Sequence, residues 1–226
     1  MGVTAMDKPV IFCDFDGTIT NNDNIIAIMK HFNPPGWNPI KDDILAQNIS
    51  IREGVAKMFS LLPSDKKDAV IDYVLEQAEI REGFGEFVAY AKEQDIPLYI
   101  VSGGIDFFVH PLLEPFGPFA GVYCNEADFS GDTIRIAFPH GCDSECTSQG
   151  CGCCKPSIIR HLLESGGKSI VIGDSITDLE AAKGADLVIA RDFLIEKCEE
   201  LGLPFEPFEN FHDVMSIIDA RLGVNS

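Results

Sequence analysis

Four short apolar runs limit what this chain can fold into: Val10-Ile-Phe-Cys13, Leu98-Tyr-Ile-Val101, Ile170-Val-Ile172 and Leu187-Val-Ile-Ala190. Each is rich in β-branched or aromatic residues and lacks an interrupting charge, which is how a strand covered on both faces of a parallel sheet reads. Patterns of helical period fill the stretches around them, at 85–94, 156–164, 177–184 and 193–201. Strands alternating with helices predict a doubly wound α/β core of Rossmann type.

Residues 21–80 break that alternation. They carry helical patterns and no convincing strand. Ser50-Ile-Arg-Glu53 fits a capping box, Ser64 is placed to cap a helix running toward Gln77, and Pro34-Pro-Gly36 separates the first helix from the next. The expectation is a helical cap at 21–80 inserted into a catalytic core made of 8–20 and 81–226. The stretch 125–152 reads as loop, with room for short strands at Phe129 and at 134–138.

Acidic residues terminate two of the strands. Phe12-Cys-Asp14-Phe-Asp16-Gly17-Thr18 runs an apolar strand into two aspartates at i and i+2, which in extended chain share one face, with Phe15 pointing into the core. Two such carboxylates at about 4 Å repel by roughly 4 kcal/mol at an effective dielectric near 20, a cost that a hard cation such as Mg²⁺ removes. The competing reading is a plain Asp-Xaa-Asp-Gly turn. Val171-Ile-Gly-Asp174-Ser-Ile-Thr-Asp178 repeats the pattern, with Asp174 and Asp178 one helical turn apart; here the alternative is a helix cap. Ser102-Gly103-Gly104 after the second strand offers a hydroxyl and backbone amides to an anion, or is an ordinary turn. Lys155 before Pro156 falls at a helix start, where a cation is unfavourable unless it faces an anion, or else lies on the surface. All of these positions fall where open α/β sheets bind ligands.

Together, Asp14-Phe-Asp-Gly-Thr18, Ser102-Gly-Gly104, Lys155 and Gly173-Asp-Ser-Ile-Thr-Asp178 resemble, in order, the motifs of the haloacid dehalogenase-like phosphatases. The helical segment after the first motif is similar to the phosphoserine phosphatase branch. Flanking stretches at 15–26, 102–108 and 151–157 resemble the family's methionine-salvage branch. The likeness is traced from about Pro9 to Asp192 and not into the tail beyond.

The resemblance implies that Asp14 attacks phosphorus and that Asp16 acts as general acid and then base. It implies Mg²⁺ held by Asp14, the Asp16 carbonyl and Asp174, with Asp178 supporting them. Thr18, Ser102, Gly103 and Lys155 are implied at the phosphate. A cap of this kind covers the site, which makes Asn21, Asn22, Asp23, Trp37, Arg52, Met58 and Phe59 candidates for contact with the leaving group. Met58 and Phe59 suit a thioether but equally suit the interior of the cap.

The net charge of −19 repels nucleic acid and anionic membranes, so the expected partner is a small phosphorylated molecule. No run of 18 apolar residues occurs, and the first residues lack the pattern of a secretory signal, so the expectation is a cytoplasmic protein. A homodimer is compatible with the composition but not dictated by it. Cys142, Cys146, Cys151, Cys153 and Cys154 crowd one segment. Structural Zn²⁺, reduced thiols and redox control all remain open for them: five thiols exceed what tetrahedral zinc needs, and the spacing departs from common zinc modules. Competing functions are a phosphatase for phosphoserine or a phosphorylated amino alcohol, a non-catalytic phosphate-binding regulator, and a cysteine-based redox or metal-handling protein.

Overall fold

The computed structural model describes residues 8–163 and 167–222. Seven strands form one sheet: β1 (Val10–Cys13), β2 (Leu98–Ile105), β3 (Gly121–Asp128), β4 (Arg135–Ala137), β5 (Ser169–Gly173), β6 (Leu187–Ala190) and β7 (Glu206–Pro207). Their order across the sheet is β4-β3-β2-β1-β5-β6-β7, parallel throughout except for β4. The apolar runs occupy the middle, with Ile11, Ile100, Ile172 and Ile189 fully buried. From β1 the chain first builds one side of the sheet through β2 and β3. It then returns to build the other through β5 and β6. The gap between β1 and β5 is therefore the switch point at which a parallel sheet opens a crevice at its carboxyl ends.

β3 and β7 depart from the sequence expectation. Gly121-Val-Tyr-Cys-Asn-Glu-Ala-Asp128 is largely half-exposed and mixes polar with apolar residues, so it does not read as a doubly covered strand. It extends to Asp128 and leaves Phe129 outside, while 135–137 pair antiparallel with it. β7, in the tail beyond Asp192, is two residues long.

Between β1 and β2 lie α1 (Asn24–Phe32), α2 (Trp37–Leu45), α3 (Ile51–Ser60) and α4 (Lys67–Gln77), followed by α5 (Phe84–Glu93), whose buried Phe84, Phe87, Val88 and Ala91 share one apolar cluster with Leu98 and Ile100 of β2. Ser50 caps α3 by accepting from the Glu53 amide at 3.1 Å, while Glu53 pairs with Lys57. Ser64 does not cap: a single 3₁₀ turn over Ser64–Lys66 intervenes, and its buried hydroxyl has no partner among the described residues.

The insertion leaves and rejoins the body side by side. Thr20 bridges Ile80, the Asn21 amide donates to the Glu79 carbonyl, and the Arg81 amide donates to the Ile19 carbonyl. It has no apolar core of its own. Ile28, Met58, Phe59 and Val74 belong to the same buried cluster as Phe15 and Phe108.

The second half supplies α6 (Asp106–Leu113), α7 (Lys155–Leu162), α8 (Ile176–Ala182), α9 (Asp192–Leu201) and α10 (Phe211–Leu222). The helix expected at 156–164 ends within the described residues at Leu162; its expected last residue, Glu164, and the first seven residues of the chain lie outside them. No helix among the described residues is long and apolar enough to cross a membrane.

Candidate active site

β1 ends at Cys13 and β5 at Gly173, and the two strands are neighbours in register, with Cys13 opposite Ile172. Asp14 and Asp174 are the next residues in each, so the sheet itself sets them side by side. Carboxylate oxygens of Asp14, Asp174 and Asp178 lie within 4.8 Å of one another. Asp178 reaches them from the first turn of α8. Its Oδ2 accepts from the amides of Asp174 and Ser175 at 3.2 and 3.1 Å, forming a capping box with Ser175. Gly173 and Gly17 allow this closeness. A side chain on Gly173 would collide with Asp178, and one on Gly17, whose φ is +78°, would collide with the Asp174 carboxylate.

One cation sits among the three acids. Lys155 is the first residue of α7 and is buried. Its Nζ lies 2.7 Å from Asp14 Oδ1, contacts Asp178 Oδ1 and lies 3.4 Å from Thr177 Oγ1. Burial works against its charge, but the Asp14 and Asp178 carboxylates outweigh that and hold its pKa above the usual lysine value. Three carboxylates and one ammonium leave a formal charge of −2 when all are ionised. That excess shows in the acids. Burial, then the charge of Asp178, pushes Asp14 up to about 6 against the pull of Lys155. Burial, then Asp14 and Asp178, pushes Asp174 up to about 9. A dense set of hard oxygen donors with surplus negative charge fits Mg²⁺. Asp178 spends its oxygens on Lys155 and on two amides, which leaves Asp14 and Asp174 as the carboxylates that would hold the ion.

Asp16 is placed differently from the expectation of two aspartates on one face. It already lies in the turn that follows β1, so the alternation of an extended strand no longer applies. Its carboxylate turns away from the trio and accepts from Asn24 at the start of α1, from the amide at 3.0 Å and from Nδ2 at 2.6 Å. Burial, then the charge of Asp23, holds its pKa well above the usual carboxylate range, and the Asn24 hydrogen bonds pull against that rise. Burial that favours its protonated form suits a carboxyl that must hold a proton and pass it on.

Thr18, expected at the phosphate, instead donates its hydroxyl to Asp174 Oδ1 at 3.0 Å. Ser102, Gly103 and Gly104 sit within β2, where its register against β3 shifts between Val101 and Ile105. Ser102 is fully buried and its Oγ accepts from the Gly104 amide at 2.8 Å. The space beside Gly103 is open. Among the cap candidates, Trp37, Met58 and Phe59 are core residues. Asp23 caps α1, Asn21 reaches Glu79, and Arg52 lies over the Phe138 ring. The Asn22 carbonyl accepts from the Gly17 amide and the Thr20 hydroxyl, within the turn that follows β1.

A larger cleft, about 430 Å³, is lined by Pro9, Lys168, Asp186, Glu206 and Arg221 at the amino ends of the strands, the wrong end of such a sheet for chemistry.

A family model described as haloacid dehalogenase-like hydrolase matches residues 11–183. The chain belongs to that family. Among curated haloacid dehalogenase-like relatives, the 2-hydroxy-3-keto-5-methylthiopentenyl-1-phosphate phosphatase of Geobacillus kaustophilus is 62% identical over 92% of this chain and 94% of its own. Its counterpart from Geobacillus thermodenitrificans is 61% identical over 91% and 93%. A substrate-bound phosphoserine phosphatase has the same fold, with a TM-score of 0.71 at 20% identity over 93% of this chain and 98% of that one.

Two residues of this haloacid dehalogenase-like site are not singled out by any pattern of residue types in the sequence. Asn24 was one more polar residue in a polar run. Arg81 stood alone between the cap and α5. Buried, it donates to the carbonyls of Thr18 (2.7 Å), Gly17 (2.8 Å), Thr20 and Glu209, and so holds the loop that carries Asp16.

Proposed function

We propose that this haloacid dehalogenase-like hydrolase is a Mg²⁺-dependent phosphatase of methionine salvage. Its substrate would be 2-hydroxy-3-keto-5-methylthiopentenyl-1-phosphate and its product 1,2-dihydroxy-3-keto-5-methylthiopentene. The observation that carries the choice of substrate is the 62% identity, over nearly the whole of both chains, to a relative named for it. What supports the chemistry is the meeting of Asp14, Asp174, Asp178 and Lys155 at the carboxyl ends of β1 and β5.

In this reading a carboxylate oxygen of Asp14 attacks phosphorus and the ester P–O bond breaks. The departing enol oxygen takes the proton of Asp16. Water then attacks the phosphorus of the aspartyl phosphate and gives its proton to Asp16, and the P–O bond to Asp14 breaks to release inorganic phosphate. Splitting the reaction in this way replaces one very slow hydrolysis by two easier transfers. Lys155, the Ser102 hydroxyl and the Gly103 amide receive the phosphoryl oxygens, whose charge spreads in the transition state. Bound Mg²⁺ would be held by Asp14 and Asp174 and would offset the repulsion between carboxylate and phosphate.

Phosphate release from a panel of monoesters, with and without Mg²⁺, tests the proposal. The methylthiopentenyl enol phosphate is expected to exceed phosphoserine in kcat/KM by at least about tenfold, and chelation is expected to stop both. A preference for phosphoserine would overturn the substrate. Release that persists after Asp14→Asn would overturn the mechanism.

A further inference from the structure

The segment that delivers Lys155 is built around sulfur. Of the five crowded cysteines, the fold selects four: Sγ atoms of Cys142, Cys146, Cys151 and Cys154 all lie within 4.8 Å of one another. Cys153 is turned out of the group. Its thiol points to the Tyr123 carbonyl and packs with Phe12, Val101 and Ile158. Removing it changes how the spacing reads. What remains is a C-x₃-C pair, Cys142 and Cys146, and a C-x₂-C pair, Cys151 and Cys154, both within the range that zinc modules use.

The geometry is that of separate thiols and not of a disulfide. Cys146 and Cys151 sulfurs stand 3.7 Å apart, far beyond the roughly 2.05 Å of a disulfide. Four thiolates about 2.3 Å from a central Zn²⁺ would sit roughly 3.8 Å apart along each tetrahedral edge. An apolar thiol cluster would gather carbon neighbours. Here the backbone instead turns to serve sulfur. Gln149, Gly150 and Gly152 all take positive φ, and the Gly150 amide donates to Cys142 Sγ at 3.4 Å. The two glycines take these turns freely, and Gln149 is the one side-chain-bearing residue of the three held in the left-handed region.

We propose that Cys142, Cys146, Cys151 and Cys154 form a structural tetrathiolate Zn²⁺ centre that clamps the lysine helix to the cap. Soft thiolates in a tetrahedron select zinc over the hard cation of the carboxylate site. The cluster is anchored at the lysine end by the chain itself and at the cap end by one hydrogen bond. Cys154 is the residue immediately before Lys155 and caps α7. Its amide donates to the His140 carbonyl at 2.9 Å, which fixes the start of the loop to its end. On the other side, the Gly150 carbonyl accepts from the Arg52 amide at 3.1 Å, at the first turn of α3 in the cap. The metal would therefore set both where Lys155 starts and where the cap rests.

The test is metal content of the full chain, purified with reductant after growth with added zinc. About one zinc per chain is expected, surviving dialysis against a mild chelator that strips Mg²⁺. Cobalt substitution should give the intense near-ultraviolet thiolate-to-cobalt bands and visible bands of a tetrahedral S₄ site. Cys153→Ser should keep the zinc, whereas Cys151→Ser should lose most of it and melt lower. Should Cys151→Ser fail to fold, the wild-type and Cys153→Ser metal counts still decide. A zinc-free wild-type chain with all its thiols titratable overturns the proposal. So does zinc retained in a folded Cys151→Ser, or a mass shift showing a Cys146–Cys151 disulfide in the active protein.

Discussion

Nδ2 of Asn24 lies 2.6 Å from Oδ1 of Asp16, so the carboxyl assigned to proton transfer is oriented by the first helix of the cap. Asn24 is buried and its amide also reaches Thr20 Oγ1 at 3.1 Å. Asn24→Ala is expected to lower kcat by about 10- to 100-fold while KM moves little, because it disturbs a positioned acid rather than a binding contact. The hydrogen bonds from Asn24 pull the Asp16 pKa down against burial and Asp23. Their loss should raise it, and the alkaline limb of the kcat profile should move to higher pH. An unchanged profile with lowered kcat would argue against this role.

Asp14→Asn should abolish turnover, by on the order of 10⁴-fold or more, because it removes the proposed nucleophile. The fold should survive. Lys155 keeps Asp178, and one of three mutually repelling carboxylates is gone. Thermal melts in chelator should therefore show little loss of stability. The stabilisation that Mg²⁺ gives the native chain should be much reduced.

The pH dependence of metal binding follows from the same crowding. Without a cation, Asp174 is pushed up to about 9 and Asp14 to about 6. Between an unfolded carboxylate value near 4 and those raised values, the native metal-free chain binds more protons than the unfolded chain. These two groups therefore make metal-free stability fall as pH rises through that window. Mg²⁺ must displace the protons, so its affinity should rise with pH, by about tenfold per unit where one proton leaves per ion bound. Titrations monitored by melting temperature at pH 6, 7 and 8 would check this. Affinity that is flat across the range would contradict it.

Arg81→Lys should cost about 2–4 kcal/mol in urea unfolding. Arg81 serves carbonyls at 17, 18, 20 and 209 with a planar fork that a single ammonium cannot reproduce. Activity should fall as well, because the loop it holds carries Asp16.

The contrast between Arg81 and Asp174 explains how far the sequence could be read. Asp174 was legible because its position depends on local facts: a buried run, a glycine and a helix start, all within a few residues. Arg81 acts across 61 to 128 residues of chain, and no spacing rule connects it to the carbonyls it meets. Asp16 falls between these cases. The i, i+2 rule found it but assumed an extended chain, and the turn beginning at Asp16 broke the rule. The central strands were legible because both of their faces are covered. β3 was not, since a half-exposed strand shows no unbroken apolar run. Likewise the crowding of five cysteines was visible at once, but only the folded chain separates Cys153 from the other four.

The side-by-side attachment at Thr20 and Ile80 has a consequence for descent as well as for shape. An insert whose two ends depart from adjacent points can be lengthened, trimmed or exchanged without displacing the sheet beneath it. Lineages could thus vary which molecule is chosen while the bond-breaking apparatus stays fixed. Asn24 marks the limit of that freedom, since any replacement would have to bring its own partner for Asp16.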